Sequence, residues 1–314
     1  MNRLAFVFSG QGSQYVGMAK EIAHTHQESR DVFLVASETL GYDMEELVFN
    51  GPMEKLTTTE YTQPAILTAS YAMLLPLLKD NQRAGYAAGL SLGEYTAHVY
   101  AGSLDFRDAL RLVRKRGQFM QQEVEPGLGG MSAVIGMEDE DVEDALREAR
   151  RAGIVACANF NSPGQVVISG EKKALEVAGE ILLMKGAKRV IPLAVSAPFH
   201  CEMLKGAGKK LAAELERVAF REMQAKVVSN VTGDVIREVG DISGLLVMQV
   251  SHAVKWTHGI RNMINYGVDT FVEIGPGKVL SGLIKKINGD VRVLNVEDNQ
   301  TLEATRKELE GMVL

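Results

Sequence analysis

Short apolar runs that end in glycine or polar residues alternate with amphipathic stretches over most of the chain. Four of these runs cover residues 4–10, 85–90, 269–277 and 291–296, and a helical pattern follows each of them. Near-continuous apolar runs of this length are typical of strands buried on both faces, whereas the amphipathic stretches have the 3.6-residue period of helices. Strands that alternate with helices predict a mostly parallel sheet covered by helices on both faces.

The order of elements changes in the middle of the chain. Strand and helix patterns follow one another there as βαββαβ, over residues 129–137, 138–151, 153–161, 164–170, 171–185 and 187–195. This order is that of a ferredoxin-like unit. We therefore predict an α/β protein in which a ferredoxin-like small domain, residues 127–196, is inserted into a large domain of residues 1–126 and 197–314. The glycines of 126–130 and the turn at 196–200 are the predicted hinges.

Composition narrows the class of protein. The chain has 314 residues, of which 46% are hydrophobic and 24% charged, as is ordinary for a globular protein. Its net charge of -6 argues against general nucleic-acid binding. Two cysteines, Cys157 and Cys201, are too few for a disulfide framework and fit a reducing compartment. The N-terminal apolar run is too short for a signal sequence and the most apolar helix too short for a membrane span, so we expect a cytoplasmic protein that does not enter membranes.

The stretch "AAGLSLGEYTAHVYAG", residues 87–102, contains the motif G-x-S-x-G centred on Ser91. It lies between a predicted strand and a predicted helix, where a tight turn exposes the hydroxyl of a nucleophilic serine. The helix N-terminus favours negative charge, and the N–H of Leu92 would point at a developing oxyanion. The alternative is structural, with Ser91 capping the helix and Glu94 closing a capping box.

The loop after the first strand, "FSGQGSQ" at residues 8–14, is the expected source of a second oxyanion donor, Gln11. The glycines on either side of Gln11 also fit the start of a dinucleotide-binding fingerprint. Two features argue against that alternative. Tyr15 occupies the third glycine position, and residues 29–40 have a helical pattern where a dinucleotide-binding fold has its second strand.

A nucleophilic serine needs a base. Among six histidines, His200 is the candidate, because it follows a strand and a proline at the start of a helix, and strand ends in α/β folds gather at the ligand crevice. The alternative is a histidine that only caps its helix. No acidic residue stands at a strand end between Ser91 and His200, so a backbone carbonyl is the expected orienting group. Cys201 is a rival nucleophile, but adjacent side chains diverge, and we interpret it as a packed residue.

The helix pattern at residues 107–122 contains a charge among its apolar positions. Arg116 falls within the stripe formed by Ala109, Leu112, Val113 and Met120. A buried arginine needs a partner, since an isolated buried charge costs several kcal/mol. Its planar fork suits a carboxylate. That carboxylate is either an internal acidic side chain or part of a substrate, and the sequence leaves both open.

Six motifs together resemble those of the malonyl-CoA:acyl carrier protein transacylases, in the same order and over nearly the whole chain. They are "FSGQGSQYVGMA", "GLSLGEYTA", "RKRGQFMQ", "NFNSPGQVVISG", "SAPFH" and "EIGPGKVLSGL". The resemblance implies an α/β-hydrolase-like large domain with a ferredoxin-like insert. It also implies a ping-pong transfer of the malonyl group from malonyl-CoA to the phosphopantetheine thiol of acyl carrier protein, in fatty acid biosynthesis, without a metal or cofactor.

The resemblance implies roles for individual residues. Ser91 would be the nucleophile, His200 its base, and Arg116 the clamp for the malonyl carboxylate. The backbone amides of Gln11 and Leu92 would form the oxyanion hole.

Further residues follow from the same resemblance. The backbone carbonyl of Gln249 would orient the histidine, and Phe199, Met120 and Asn161 would line the acyl pocket. Phe199 matches the malonyl-selecting form, because a bulky ring beside the base leaves little room for a branch at the acyl α-carbon. Leu90 stands where the family usually has histidine, which affects rate or fine geometry rather than the reaction.

Acyl carrier protein is acidic, so a local basic patch is expected despite the net negative charge. The candidates are Lys285 and Lys286, together with Lys188 and Arg189; the alternative is that they are ordinary surface cations. Two rival functions share much of the same site. One is a serine hydrolase of a carboxylated ester or thioester, and the other is a non-catalytic acyl-binding protein on the same fold.

Overall fold

The computed structural model describes residues 3–195 and 197–311 and contains two separate sheets with helices packed against them. The strands of these residues are β1 Leu4–Phe8, β2 Tyr86–Gly89, β3 Gly129–Ile135, β4 Val155–Ser162, β5 Gln165–Glu171, β6 Arg189–Pro192, β7 Lys226–Val227, β8 Thr270–Ile274 and β9 Arg292–Val296. The helices are α1 Lys20–Thr25, α2 Gln27–Leu40, α3 Met44–Asn50, α4 Met53–Thr57, α5 Thr59–Lys79, α6 Gly93–Tyr100, α7 Phe106–Gln122, α8 Asp139–Ala149, α9 Lys172–Met184, α10 Lys205–Leu215, α11 Asp241–Gln249, α12 Trp256–Asn265, α13 Val279–Ile287 and α14 Asn299–Glu310.

The large sheet is entirely parallel and has the strand order β7-β2-β1-β8-β9. Its central strand β1 is fully buried, and successive side chains enter different cores: Phe6 and Phe8 pack into one, Ala5 and Val7 into the other. Because neighbouring strand residues point to opposite faces, both faces of the sheet are covered. This confirms the parallel sheet that the apolar runs predict.

The small sheet has the order β4-β5-β3-β6, with every neighbouring pair antiparallel. Helices α8 and α9 supply the apolar side chains that form a core with it. This arrangement is the ferredoxin-like unit predicted from the βαββαβ order. The domain limits at residues 127 and 196 stay a prediction; residues 1–2, Ser196 and 312–314 lie outside the described residues.

Two details differ from the sequence prediction. The last strand of the small sheet ends at Pro192 instead of continuing to residue 195, because the chain turns there: Leu193 N–H still donates to Met131 on β3, but Val195 N–H donates back to the carbonyl of Leu193. Residues 193–195 instead line the cavity described below. The two-residue strand β7 was not predicted, since Lys226–Val227 is too short to show a pattern. Among the helices of residues 3–195 and 197–311, none is long and apolar enough to cross a bilayer.

Candidate active site

The turn that carries Ser91 joins β2 to α6 and is tightly constrained. Ser91 has a φ of 52°, a left-handed conformation that L-residues adopt only at a cost. A Cβ on Gly89 would lie 1.9 Å from the carbonyl carbon of Gly93, and one on Gly93 would lie 2.2 Å from the oxygen of Phe8. The two glycines of the motif are therefore required by close backbone contacts, and the turn lifts the serine above the carboxyl edge of the sheet.

The capping-box alternative for this turn is wrong. Ser91 precedes the N-cap residue, Leu92, and its hydroxyl contacts two other side chains instead of the helix backbone. Glu94 turns away from the helix start and accepts hydrogen bonds from the N–H of Asn230 and the side chain of Gln249. The two acceptors of a capping box, the Ser91 hydroxyl and the Glu94 carboxyl, are thus both used in contacts with distant parts of the chain.

His200 lies within hydrogen-bond distance of the serine. Its Nε2 is 2.8 Å from Ser91 Oγ, and its Nδ1 is 2.8 Å from the backbone oxygen of Gln249. A carbonyl can only accept, so Nδ1 carries the proton and Nε2 is free to accept from the serine hydroxyl. The orienting group is a carbonyl, as the lack of an acidic candidate predicted. His200 itself has a φ of 61°, so its backbone is also held in a left-handed conformation.

The imidazole of His200 is a weak base in this position. Burial, followed by the positive charge of Arg116, lowers the pKa of His200 to about 4, although its hydrogen bond to Gln249 acts in the opposite direction. The ring is therefore neutral near pH 7. A neutral imidazole can accept the proton of Ser91 at that pH.

Arg116 on α7 is 1% exposed and its charge lies directly at the serine. It donates to Gln63 Oε1 at 2.9 Å, Ser91 Oγ at 2.9 Å and Gln249 Oε1 at 3.0 Å. All three partners are neutral, and no carboxylate of residues 3–195 or 197–311 forms an ion pair with it. Of the two options that the sequence left open, an internal salt bridge is thereby excluded within these ranges.

The serine oxygen combines these contacts. Ser91 Oγ donates its proton toward His200 and accepts a hydrogen bond from Arg116. A cation beside the oxygen stabilises negative charge that develops when the proton leaves. The arrangement can therefore generate a nucleophilic oxygen and attract an anionic substrate to the same place.

Two backbone N–H groups are available close to the serine. In the described part of the chain, neither Gln11 N–H nor Leu92 N–H donates to a protein acceptor. The Gln11 side chain is 3.4 Å from Thr59 Oγ1, and the loop of residues 10–14 lies along the cavity. These two amides can serve as oxyanion donors. The dinucleotide alternative fails, because residues 29–40 belong to helix α2 and leave no second strand for a ribose.

A cavity of about 370 Å³ opens onto Ser91. The predicted pocket residues Met120, Asn161 and Phe199 all line it, and Asn161 Oδ1 is buried with no hydrogen-bond partner among the described residues. The remaining lining residues are Gln11, Gly12, Gln14, Thr57, Gln63, Leu90, Arg116, Met131, Asn159, Val167, Leu193, Ala194, Val195 and His200. Leu90 presents an apolar side chain to this cavity.

Sequence reasoning missed three polar residues of the site. Gln63 contacts Arg116, Asn230 Oδ1 accepts from Ser91 N–H at 2.6 Å, and Glu94 contacts both Asn230 and Gln249. The only sequence signal was the acidic residue in "SLGE", which fits a helix cap equally well. Gln63 and Asn230 stand in stretches without any motif.

The four predicted surface cations are exposed, and three of them, Lys188, Arg189 and Lys286, lie along one end of the small sheet. Lys286 Nζ is 3.3 Å from Gln165 Oε1, and Arg189 lies two strands from Gln165, about 10 Å away. Lys188 precedes Arg189, whereas Lys285 Nζ donates to two backbone carbonyls after α13. None of the four forms an ion pair within residues 3–195 and 197–311.

Comparisons with known proteins agree with this geometry. The chain matches the acyl transferase domain family over residues 5–313. It is 44% identical over 304 residues to a malonyl CoA-acyl carrier protein transacylase of Bacillus subtilis, with 96% of each chain covered. A crystal structure of a malonyl CoA-acyl carrier protein transacylase from Clostridium perfringens is 50% identical, with a TM-score of 0.96 over 98% of this chain and 97% of that one. A malonyl-transacylase solved in complex with a type II PKS acyl-carrier protein is 42% identical, with a TM-score of 0.95 over 97% of this chain and 99% of that one. The chain therefore belongs to the acyl transferase family and, within it, to the malonyl CoA-acyl carrier protein transacylases.

Proposed function

We propose that this protein transfers the malonyl group of malonyl-CoA to the phosphopantetheine thiol of acyl carrier protein through a malonyl ester on Ser91, in fatty acid biosynthesis. The observation that carries the proposal is the position of Arg116, a buried guanidinium with no carboxylate partner among the described residues. It lies 2.9 Å from a serine oxygen that also contacts a neutral imidazole. The names of the relatives support the identity of the donor and acceptor.

In the first half-reaction, the malonyl carboxylate binds the guanidinium of Arg116 and leaves the thioester beside Ser91. His200 Nε2 takes the serine proton as Oγ attacks the thioester carbonyl. The N–H groups of Gln11 and Leu92 stabilise the oxyanion of the tetrahedral intermediate. The C–S bond then breaks, and the proton on His200 passes to the departing CoA thiolate.

In the second half-reaction, the phosphopantetheine thiol takes the place of CoA. His200 accepts the thiol proton, the sulfur attacks the malonyl-serine ester, and Ser91 recovers its proton. Water competes poorly, because an imidazole oriented by a neutral carbonyl is a weak base, and a thiol loses its proton far more readily than water. Phe199, buried beside the base, restricts the acyl α-carbon to a small substituent.

The chemistry uses only groups of the chain and its two substrates, so the proposal includes no cofactor and no metal. The proposed location is the cytoplasm, supported by the two cysteines, which are both buried and unpaired. Cys201 Sγ contacts the backbone oxygen of Pro198, and burial raises its thiol pKa, as expected for a packed residue instead of a second nucleophile.

The test is the intact mass of the protein after mixing with malonyl-CoA alone, in a buffer that contains a metal chelator. We expect an increase by one malonyl group on the wild type and none on Ser91→Ala. Turnover of malonyl-CoA without an adduct would favour the rival hydrolase. Neither adduct nor turnover would favour the non-catalytic acyl-binding protein.

Acyl carrier protein docks on the row of cations at the end of the small sheet. This row adjoins the cavity, because the cavity residue Val167 is two positions from Gln165, the residue that Lys286 contacts. The cations are exposed and lack ionic partners in the described structure, so an acidic surface can pair with them. A structural relative is solved in complex with a type II PKS acyl-carrier protein, which supports a carrier protein as the partner.

We expect the double variant Lys286→Glu with Arg189→Glu to raise the KM for acyl carrier protein about tenfold, with the effect weakening at high salt. Malonyl loading from malonyl-CoA should stay unchanged, because neither residue lines the cavity. The matched control is Lys172→Glu with Lys173→Glu, two exposed lysines at the start of α9, directly after the end of β5 that is opposite Gln165. Equal effects of the two double variants on the KM would contradict this docking site.

A further inference from the structure

A fully buried carboxyl lies directly behind the site, and the proposed mechanism does not use it. Glu94 on α6 is 0% exposed. Its Oε2 accepts from Gln249 Nε2 at 2.6 Å and from Asn230 N at 3.0 Å, while its Oε1 has no hydrogen-bond partner in the described part of the chain. A buried carboxyl with a free oxygen is costly, so its presence behind the site needs an explanation.

The two residues that Glu94 holds are those that hold the catalytic groups. Asn230 Oδ1 accepts from Ser91 N–H at 2.6 Å, and Asn230 Nδ2 donates to the carbonyl of Gly89. Gln249 Nε2 also donates to the carbonyl of Ser91 at 2.9 Å, and the Gln249 backbone carbonyl accepts from His200. Glu94 therefore contacts the nucleophile turn and the base through one intermediate residue each.

The side-chain amide of Gln249 also connects Glu94 to Arg116. Its Oε1 accepts from the guanidinium of Arg116, and its Nε2 donates to the carboxyl of Glu94. The amide is assigned this way round because a reversed amide would place its NH₂ against the guanidinium N–H groups and its oxygen against the carboxyl oxygen. The amide dipole thus lies between a cation and a carboxylate. Arg116 has no ion pair in the described residues, and Glu94 is the carboxyl whose charge acts on it.

We propose that Glu94 is a positioning residue that orients Gln249 and Asn230, and that it gives up its negative charge by taking a proton when the malonyl carboxylate binds Arg116. The inference rests on the proposed function. Before binding, the buried cation is balanced by one carboxylate. The malonyl carboxylate adds a second negative charge beside the same cation. Two buried carboxylates near one cation repel each other, so binding of malonyl favours the protonated form of Glu94.

The charged and titratable groups that face Glu94 are few. They are Arg116 from α7 and Tyr95 on its own helix, while His200 is connected to it only through Gln249; α11 and the loop after β7 present the neutral Gln249 and Asn230. Burial raises the pKa of Glu94 to about 7, against the opposing effects of its two hydrogen bonds and of Arg116. A proton can therefore be exchanged near neutral pH, while His200 stays neutral throughout that range.

The direct test compares malonyl and acetyl loading of the wild type between pH 6 and pH 9, by intact mass after rapid quenching. Acetyl has no carboxylate, so effects of the base cancel in the malonyl-to-acetyl ratio of rates at subsaturating donor. With Glu94 ionised at high pH, its charge opposes the malonyl carboxylate. We expect the malonyl-to-acetyl ratio to fall about tenfold as pH rises through this range. A tenfold change corresponds to malonyl binding raising the pKa of Glu94 by about one unit.

Glu94→Gln removes the charge and keeps a carbonyl that accepts from Gln249 and Asn230. We expect its ratio to be independent of pH and its acetyl loading to stay within about threefold of the wild type. Glu94→Ala removes the acceptor as well, so acetyl loading should fall about a hundredfold as the site loses its alignment. The matched control is Glu273→Gln, another buried carboxyl that accepts from Leu280 N and Ser281 N far along the chain; its ratio should fall with pH as in the wild type.

The outcomes separate the two proposals. If the wild type forms both adducts but their ratio does not change with pH, the charge coupling is overturned and the positioning role is not. Equal acetyl loading by Glu94→Ala and Glu94→Gln would overturn the positioning role. The absence of a malonyl adduct on the wild type would overturn the proposed function, and this inference with it. The wild-type measurement stands even if a variant fails to fold.

Discussion

Replacing Arg116 by alanine is expected to lower the rate of malonyl loading at subsaturating malonyl-CoA about a thousandfold, while acetyl loading falls less than tenfold. A buried, hydrogen-bonded charge pair is worth about 3–5 kcal/mol when one partner is removed, which corresponds to a factor of this size. Acetyl-CoA has no carboxylate, so with that donor the variant loses only the hydrogen bonds of Arg116 to Ser91 Oγ, Gln63 and Gln249. The measurement is the rate of adduct formation by quenched intact mass.

Arg114→Ala is the matched control for that variant. Arg114 lies on the same helix, but its guanidinium donates to the backbone oxygen of Leu40 and does not line the cavity. Its ratio of malonyl to acetyl loading should equal that of the wild type. A similar loss of both acyl groups in Arg116→Ala would show a structural role and would contradict the carboxylate clamp.

Replacing His200 by alanine is expected to slow acyl loading from both donors by a factor of about 10³–10⁴, because no other described side chain is placed to take the proton of Ser91. The pH profile gives a second readout. The pKa of His200 is lowered to about 4, so its neutral form persists from pH 8 down to about pH 5. Acetyl loading by the wild type should be flat over that range and should fall as pH drops through the pKa, where the protonated ring can no longer accept.

The control for this profile is His24→Ala, which removes an exposed imidazole remote from the cavity and should leave the acetyl profile unchanged. Acetyl-CoA is the suitable donor, because the proposed protonation of Glu94 affects only malonyl. A wild-type rate that already declines between pH 8 and pH 6 would contradict the lowered pKa of the base.

Several features of the site could be predicted because they depend on residues that are close together in the sequence. The position of Arg116 within an apolar helical stripe predicted its burial, and the glycines around Ser91 predicted the tight turn. The absence of an acidic candidate before His200 predicted a carbonyl as its orienting group. In each case the signal lies within a few positions along the chain: a charged residue stands among apolar ones, glycines allow a tight turn, or an expected acidic residue is missing.

Glu94 and Gln249 show where local patterns fail. The spacing of Ser91 and Glu94 fits a capping box, but the carboxyl binds Asn230 and Gln249, which are 136 and 155 positions away. The predicted role of Gln249 involved only its backbone carbonyl, whereas its side chain also contacts Arg116, Glu94 and the carbonyl of Ser91. A polar side chain has several hydrogen-bond partners to choose from, both near and far along the chain, and only packing selects among them.

The sequence by itself determined the parallel and antiparallel sheets, the inserted ferredoxin-like unit and the identities of the hydroxyl, imidazole and guanidinium. Periodicity and glycine placement encode these features locally, since they reflect which face of an element is buried and which backbone angles are allowed. The tertiary structure alone decided that the guanidinium has no ionic partner in the described residues. It also decided that the carboxyl of Glu94 lies behind the site, joined to the guanidinium through the side-chain amide of Gln249. Those facts depend on distances between residues far apart in sequence, and hydrogen bonding and desolvation act over a few ångströms of space, not along the chain.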